Sequence, residues 1–473
     1  MTEYASLSPK PILLVFVIIY LLILIAFGAL ITRKNNTVKE FLVAGKGLGG
    51  FILVGTMLAT NMGGGTVTGG ANSIAYNNGI WVAMGSGIPT VIAICIIIIM
   101  IPKVRASGCI TVPQLMEHSY GRGARIFAAC ITALSMFAIC SYQFRGLGNV
   151  LTVTTGMGSF TASIIAAVVI IFLAASGGLK TIALTDAFSA FLCLAGLVIT
   201  LPLLIKYVGG WDWVVEQTAI QRPYGLSLTA DWGIADYLAS YAPTFFMTLS
   251  DQNMYQRMIS GKSTKDTVIG VVGWALAVII VMPLVSIISY ISSLYFGTNI
   301  AASESLLATT TLVPTVVGGL LLVAAAAFII TTGDSYLLSG ASNVAVDIYS
   351  ELRSEKPDDK TLLKMTRIFV LVFGILAFGL LQLFPSILAV QYWSYTVVGA
   401  GICPALVGAI LFPKYVTKAG GIVSMAAGTI VTIVYEMLGQ PLGYGTVIIA
   451  VPVSILALII VSAATLKRSR SQT

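Results

Sequence analysis

Ala59-Thr60-Asn61-Met62-Gly63-Gly64-Gly65-Thr66-Val67-Thr68-Gly69-Gly70 interrupts a long apolar run where a plain spanning helix would be expected. Glycine costs about 1 kcal/mol in a helix interior relative to alanine. Consecutive glycines framed by Thr and Asn predict an unwound turn. Broken backbone inside a bilayer must be satisfied by protein or by a wet cavity, because lipid offers no hydrogen bonds. Carbonyls freed by such a break are also hard oxygen ligands suited to a small cation. The competing use of these glycines is close packing of one helix on another.

Working outward, composition defines the setting of the break. Of 473 residues, 57% are hydrophobic and 9% charged, against about 25% charged in soluble domains. This predicts an all-α polytopic membrane protein, set in the lipid bilayer. The net charge of +8 is therefore read as topology, with no nucleic-acid partner expected. The six cysteines and the lone His118 form no disulfide framework or zinc-ligand spacing. The first apolar run is too long for a signal-peptide core and lacks a basic flank, so no cleavable leader is expected.

Spans of about 20 apolar residues fall at 11–32, 48–76, 82–102, 126–152, 160–176, 181–205, 236–254, 268–295, 316–349, 366–384, 387–412, 420–438 and 445–465. That is about thirteen transmembrane helices. The segments 48–76 and 316–349 are long enough to be tilted or broken. With the N-terminus outside, one side collects 22 of the 26 Lys and Arg, Arg33, Lys34, Arg125, Lys180 and Arg257 among them. The other side holds only Lys10, Lys206 and Arg222, and Arg145 lies within a span. By the positive-inside rule the C-terminus and the basic face are cytoplasmic. Trp211, Trp213 and Trp232 in the outer loop read as interfacial anchors. No Walker loop suggests ATP-driven transport, no nucleophile–base constellation suggests an enzyme, and no obligate protein partner is evident.

Ionisable residues inside spans are costly and usually face a cavity or a partner. Arg145, Asp186, Asp251, Asp334 and Glu436 stand out. In Phe328-Ile329-Ile330-Thr331-Thr332-Gly333-Asp334-Ser335, Thr331, Thr332 and Ser335 share a stripe with Ser339 and Ser342. Adjacent hydroxyls plus carbonyls from a broken partner helix make a Na⁺ cage; the bland reading is hydroxyls bonding the preceding turn. Asp186 is either an interfacial carboxylate paired with Lys180 or a second cation ligand or proton carrier. Ser250-Asp251-Gln252-Asn253 marks a second discontinuous helix, as in transporters built from inverted repeats, or a helix end near a cytoplasmic Arg257. Arg145 either snorkels to the outer headgroups or anchors a substrate carboxylate. Tyr392, Trp393 and Tyr395 line a pocket or pack at the interface. Glu436 has a surface or pairing role.

Together these motifs resemble the sodium/solute symporter family, which includes bacterial sodium/proline, sodium/galactose and sodium/sialic acid carriers and the animal sodium-coupled choline carrier. The carriers of the resemblance are Ala59 to Gly65, Gly177-Gly178-Leu179-Lys180-Thr181 with Thr185-Asp186, Gln256-Arg257 before Lys262-Ser263, and Thr331-Thr332-Gly333-Asp334-Ser335 ending in Asp347-Ile348-Tyr349. It implies two inverted five-helix repeats with discontinuous helices. The chain then divides into an extra helix and cytoplasmic loop (1–47), a first repeat (48–206), an outer loop (207–235), a second repeat (236–412), and extra helices with a basic tail (413–473).

The resemblance implies a Na⁺ site of the Ala59, Met62 and Phe328 carbonyls and the Thr331 and Thr332 hydroxyls. In some members a further Na⁺ uses the positions of Asp186, Asp334 and Ser335, where Asp334 here replaces a serine. Asn61 and Asp251 stand about where the choline carrier has cage tryptophans, so choline is not expected. Asn61, Thr66, Tyr142, Arg145, Asp251, Asn253 and Tyr395 are the candidate substrate-binding residues. An Asp and an Arg together suit a zwitterionic amino acid or related amine. The alternatives are an organic carboxylate such as sialic acid or pantothenate, a sugar, or, in another class, a membrane solute sensor without a signalling domain. The expectation is a sodium-coupled symporter of the inner membrane.

Overall fold

The structure is a computed structural model that describes residues 4–32, 38–176 and 179–470. Among the described residues every regular element is helical, and ten helices are long and apolar enough to cross a membrane. Arg33, Lys34 and the Gly177-Gly178 pair lie outside the described residues.

The first helix, α1, is Ile12–Thr32. The glycine-rich span is broken as its sequence demands. Helix α2 runs Gly50–Asn61 and stops at Met62, whose N–H still reaches the Leu58 carbonyl. A π turn, Gly65–Gly69, follows, then α3, Gly70–Asn78. Next come α4 (Ile88–Ala106), α5 (Arg122–Thr155), α6 (Ser159–Ser176) and α7 (Leu179–Val208). The second half opens with another broken helix: α8 (Ile234–Ser250) and α9 (Gln252–Ser260). Asp251 between them is extended, at φ −68° and ψ 107°, and its carboxylate accepts the Asn253 N–H at 2.9 Å. It thus caps α9, and a cap residue of this type contributes about 1 kcal/mol.

Then follow α10 (Thr264–Phe296), α11 (Thr315–Asn343), α12 (Asp359–Leu381), α13 (Ile387–Gly401), α14 (Cys403–Leu411), α15 (Lys418–Met437) and α16 (Thr446–Arg470). The span at 316–349, long enough to be tilted or broken, is not broken. It continues from α11 into a π segment, Val344–Tyr349. The single span expected at 387–412 bends at Ile402 between α13 and α14.

The two broken helices meet end to end. Leu48, just before α2, accepts from Lys262 N and donates to the Ser260 carbonyl at the end of α9, at 2.8 and 3.0 Å. Helix α11 is buried without interruption from Leu321 to Asn343, so the hydroxyl stripe faces protein and not lipid. Arg125, counted on the basic face by sequence, is instead buried at the foot of α5. It binds Asp347 and Glu351 at 2.8 Å and Glu117 at 3.0 Å, pinning the π segment to α5. Glu436 takes the pairing role: it accepts from Gln440 Nε2 at 3.2 Å and from the Thr446 hydroxyl.

Candidate functional site

The break in α2 is held against α11. Thr332 Oγ1 lies 3.1 Å from the Ala59 carbonyl, 3.2 Å from that of Thr60 and 2.7 Å from that of Phe328. Thr331 Oγ1 lies 3.3 Å from the Phe328 carbonyl. Four of the five oxygen donors expected from sequence are therefore gathered at one point. Thr60, which sequence reasoning passed over, adds another carbonyl. Met62 lines the adjoining cavity instead. The glycines make the approach possible. A Cβ on Gly63 would lie 2.5 Å from Thr332 Cβ, and one on Gly64 would lie 2.8 Å from Gln143 Oε1, which already accepts the Gly64 N–H at 2.7 Å. A hydroxyl and carbonyls at this spacing, with no net charge of their own, are the chemistry that takes a small hard cation.

One turn further along α11 lies a fully buried ion cluster. Arg257 Nη2 is 3.2 Å from Asp186 Oδ2 and 3.0 Å from Ser335 Oγ. Thr56 and Thr60 donate to the same Asp186 oxygen at 2.6 and 3.3 Å, and Arg257 Nε reaches Thr56 Oγ1 at 2.9 Å. Among the described residues Asp186 Oδ1 and Asp334 Oδ1 are buried without a hydrogen-bond partner. The three residues expected at a second cation site do come together, but the cation lying among them is the guanidinium of Arg257. This corrects the placement of Arg257 on the cytoplasmic surface, since the residue is 0% exposed. It also corrects the interfacial reading of Asp186. The reason is physical: a lysine or arginine count cannot distinguish a side chain reaching water from one turned inward onto a carboxylate.

Beside the break is a polar cavity. Asn61, Thr66 and Tyr395, expected from sequence, line it. Ser86, Thr90, Ser240, Thr244 and Gln391 line it too and were missed. A signal existed, because Ser240/Thr244 is an i, i+4 hydroxyl pair on one helical face, and Ser86, in the turn before α4, stands four residues before Thr90. Among the described residues no Asp, Glu, Lys or Arg lines this cavity.

The other expected substrate residues are placed elsewhere. Tyr142 lies just behind the wall, its Oη 3.4 Å from that of Tyr395. Arg145 does not face the cavity. Its guanidinium donates to the Leu381 and Phe384 carbonyls at 3.2 and 3.3 Å, at the C-terminal end of α12, where a cation complements the helix dipole. Asp251 is occupied by the α9 cap and by the Tyr336 hydroxyl at 2.6 Å. Asn253 Oδ1 accepts from Ser339 Oγ at 2.5 Å. Arg145, Asp251 and Asn253 are thus structural in this arrangement. None of the three lines the cavity; Arg145 and Asp251 bond to protein groups away from it, while Asn253 Nδ2 is buried without a hydrogen-bond partner among the described residues.

Comparison with known proteins agrees with this architecture. Residues 41–428 match the model of the sodium:solute symporter family. The high-affinity choline transporter 1 of Drosophila melanogaster is 26% identical over 419 residues, covering 84% of this chain and 65% of that protein. The chain thus spans about two thirds of that transporter's length. The osmoregulated proline transporter OpuE of Bacillus subtilis (strain 168) is 22% identical, with 96% of this chain and 95% of that protein covered. Among solved structures, the substrate-bound outward-open state of a Na⁺-coupled sialic acid symporter superposes with a TM-score of 0.80 at 18% identity, covering 96% of this chain and 98% of that one.

Proposed function

We propose, because the chain belongs to the sodium:solute symporter family, that it couples entry of Na⁺ at the break in α2 to import of a small, net-neutral polar solute. The observation that carries the reading is Thr332 Oγ1 set against the carbonyls of Ala59 and Phe328, on two separate helices. With its hydrogen turned aside, that hydroxyl offers a lone pair to a cation shared with Ala59, Phe328, Thr331 and, closing the break, Met62. The bound ion would tie the broken helix to α11 and so favour one of two states. Coupling requires ion and solute to bind those states unequally.

The neutral lining of the adjoining cavity supports the solute class. Placing a net ion among hydroxyls and amides with no counter-charge is costly. A zwitterionic amino acid, a polyol or a sugar fits this lining, whereas a net organic anion has lost the Arg145 anchor it would need. Asp186, Asp334 and Ser335 form the further cation position, and Arg257 supplies its positive charge from within the chain. One Na⁺ per cycle follows.

Thirteen crossings are reached by counting α1 and the two broken helices beside the ten long ones. The basic face stays cytoplasmic even without the buried Arg125 and Arg257, in a multi-pass inner-membrane protein built from two inverted repeats. The test is Thr332→Ala in proteoliposomes. Na⁺-stimulated uptake should be lost while the protein remains folded; undiminished Na⁺ stimulation overturns the assignment.

A further inference from the structure

A second hollow, of about 610 Å³, is enclosed by α4, α8, α14 and α16. Phe245, Phe246, Val407 and Leu458 form its floor and walls, and Phe412 and Tyr415 stand at one end. It extends along α16 from Ile455 to Leu466, about 16 Å at 1.5 Å per residue. Its walls are hydrocarbon almost throughout. The Ser462 hydroxyl, one of the few polar groups there, already accepts the Thr417 N–H at 3.2 Å.

The Phe412 and Tyr415 end is basic. Lys414 sits between those two residues in the chain and is exposed, as is Lys418 just beyond. Lys103 Nζ reaches the Ile410 carbonyl beside them at 3.0 Å. Among the described residues no carboxylate forms an ion pair with any of the three. A hydrocarbon slot that opens onto unpaired ammonium groups at the membrane surface has the chemistry of one occupant. Basic pockets between spanning helices hold anionic headgroups. We infer that the groove binds an anionic phospholipid, one acyl chain lying along α16 and the phosphate between Lys414 and Lys418. This site is independent of the transport reading. Because Leu249, two residues before the break at Asp251, lines the groove, the lipid would pack directly on the second broken helix.

The experiment uses the full chain, purified in detergent, exchanged with equimolar phosphatidylglycerol and phosphatidylcholine, and assayed for retained lipid by mass spectrometry. Wild type should retain phosphatidylglycerol preferentially. Lys414→Gln/Lys418→Gln, a change of two exposed side chains, should weaken that retention about twenty-five-fold. Val407→Trp, which fills the slot, should release both lipids. Equal retention of the two lipids by wild type overturns the site, as does a preference that survives the lysine substitutions. Full displacement of phosphatidylglycerol by glycerol 3-phosphate, which has no chains, would also overturn it, by showing a phosphate site that does not use the groove.

Discussion

The guanidinium of Arg257 lies 3.2 Å from the carboxylate of Asp186, both side chains entirely out of solvent. Removing charges from water is costly unless the pair is also hydrogen-bonded on its remaining sides. Here Thr56, Thr60 and Ser335 supply those bonds. The cluster thereby joins the second broken helix, through Arg257, to α2, α7 and α11, the elements around the proposed Na⁺ position. If this cluster corresponds to the proposed further cation position, an arginine tethered there makes the site's charge part of the fold and not of the cargo.

Arg257→Gln should therefore be severely destabilising. It leaves two buried carboxylates without a cation, and breaking a buried pair from one side costs about 3–5 kcal/mol. Adding Asp186→Asn should recover part of that loss by removing one stranded charge. Thermal unfolding in detergent measures both, and a single variant as stable as wild type excludes the pairing as described.

A single Na⁺ per cycle is the second expectation. With the Arg257 charge fixed in place, uptake should depend on Na⁺ concentration without sigmoidicity. Reversal-potential measurements at varied Na⁺ gradients give the coupling number directly. A value of two would mean that Arg257 leaves the cluster or that Asp334 binds an ion of its own.

Gly63→Ala should act on ion binding more than on folding. Its methyl would meet the Thr332 side chain at 2.5–2.6 Å, so the break must move away from α11. Overpacking of this kind costs about 1–3 kcal/mol, and the displaced Ala59 carbonyl should raise the Na⁺ concentration for half-maximal uptake about tenfold or more. Unchanged Na⁺ affinity would show that the close approach plays no part in holding the cation.

How much of this was legible from residues alone follows from their chemistry. Glycine runs and the Ser250-Asp251-Gln252-Asn253 stretch punctuate a helix wherever it lies, so both breaks could be read. The Thr331-Thr332 pair could be read because it shares a face with other hydroxyls. Arg257 and Arg125 could not, since burial beside a carboxylate depends on a contact 71 or 222 residues away in sequence. Whether Arg145 turns to the headgroups or to a solute could not be read for a related reason: a helical residue's face can be inferred, but not whether a neighbouring helix ends opposite it. The hydroxyls of Ser240 and Thr244 were passed over because such groups so often bond their own preceding turn.

Arg145→Gln should leave substrate preference unchanged. The guanidinium binds the end of α12, where a cation contributes about 0.3–1 kcal/mol and somewhat more when partly buried. A modest fall in thermal stability is expected. The ratio of affinities for an amino acid and its decarboxylated amine should match wild type, and a selective loss of the amino acid would return Arg145 to the substrate site.

The cavity hydroxyls should govern solute affinity separately from Na⁺ affinity. Thr90 and Thr244 enter the cavity from different helices, α4 and α8, and Thr→Val keeps the shape of the side chain while removing its hydrogen bond. A neutral hydrogen bond contributes about 0.5–1.5 kcal/mol, so each substitution should raise the KM for solute about two- to twelvefold. The Na⁺ dependence at saturating solute should be conserved, because neither residue is among the groups at the Thr332 position. Initial-rate uptake over a matrix of solute and Na⁺ concentrations separates the two effects. If Thr90→Val and Thr244→Val alter neither the solute KM nor the choice between neutral and charged solutes, the cavity beside the break is not where the solute binds.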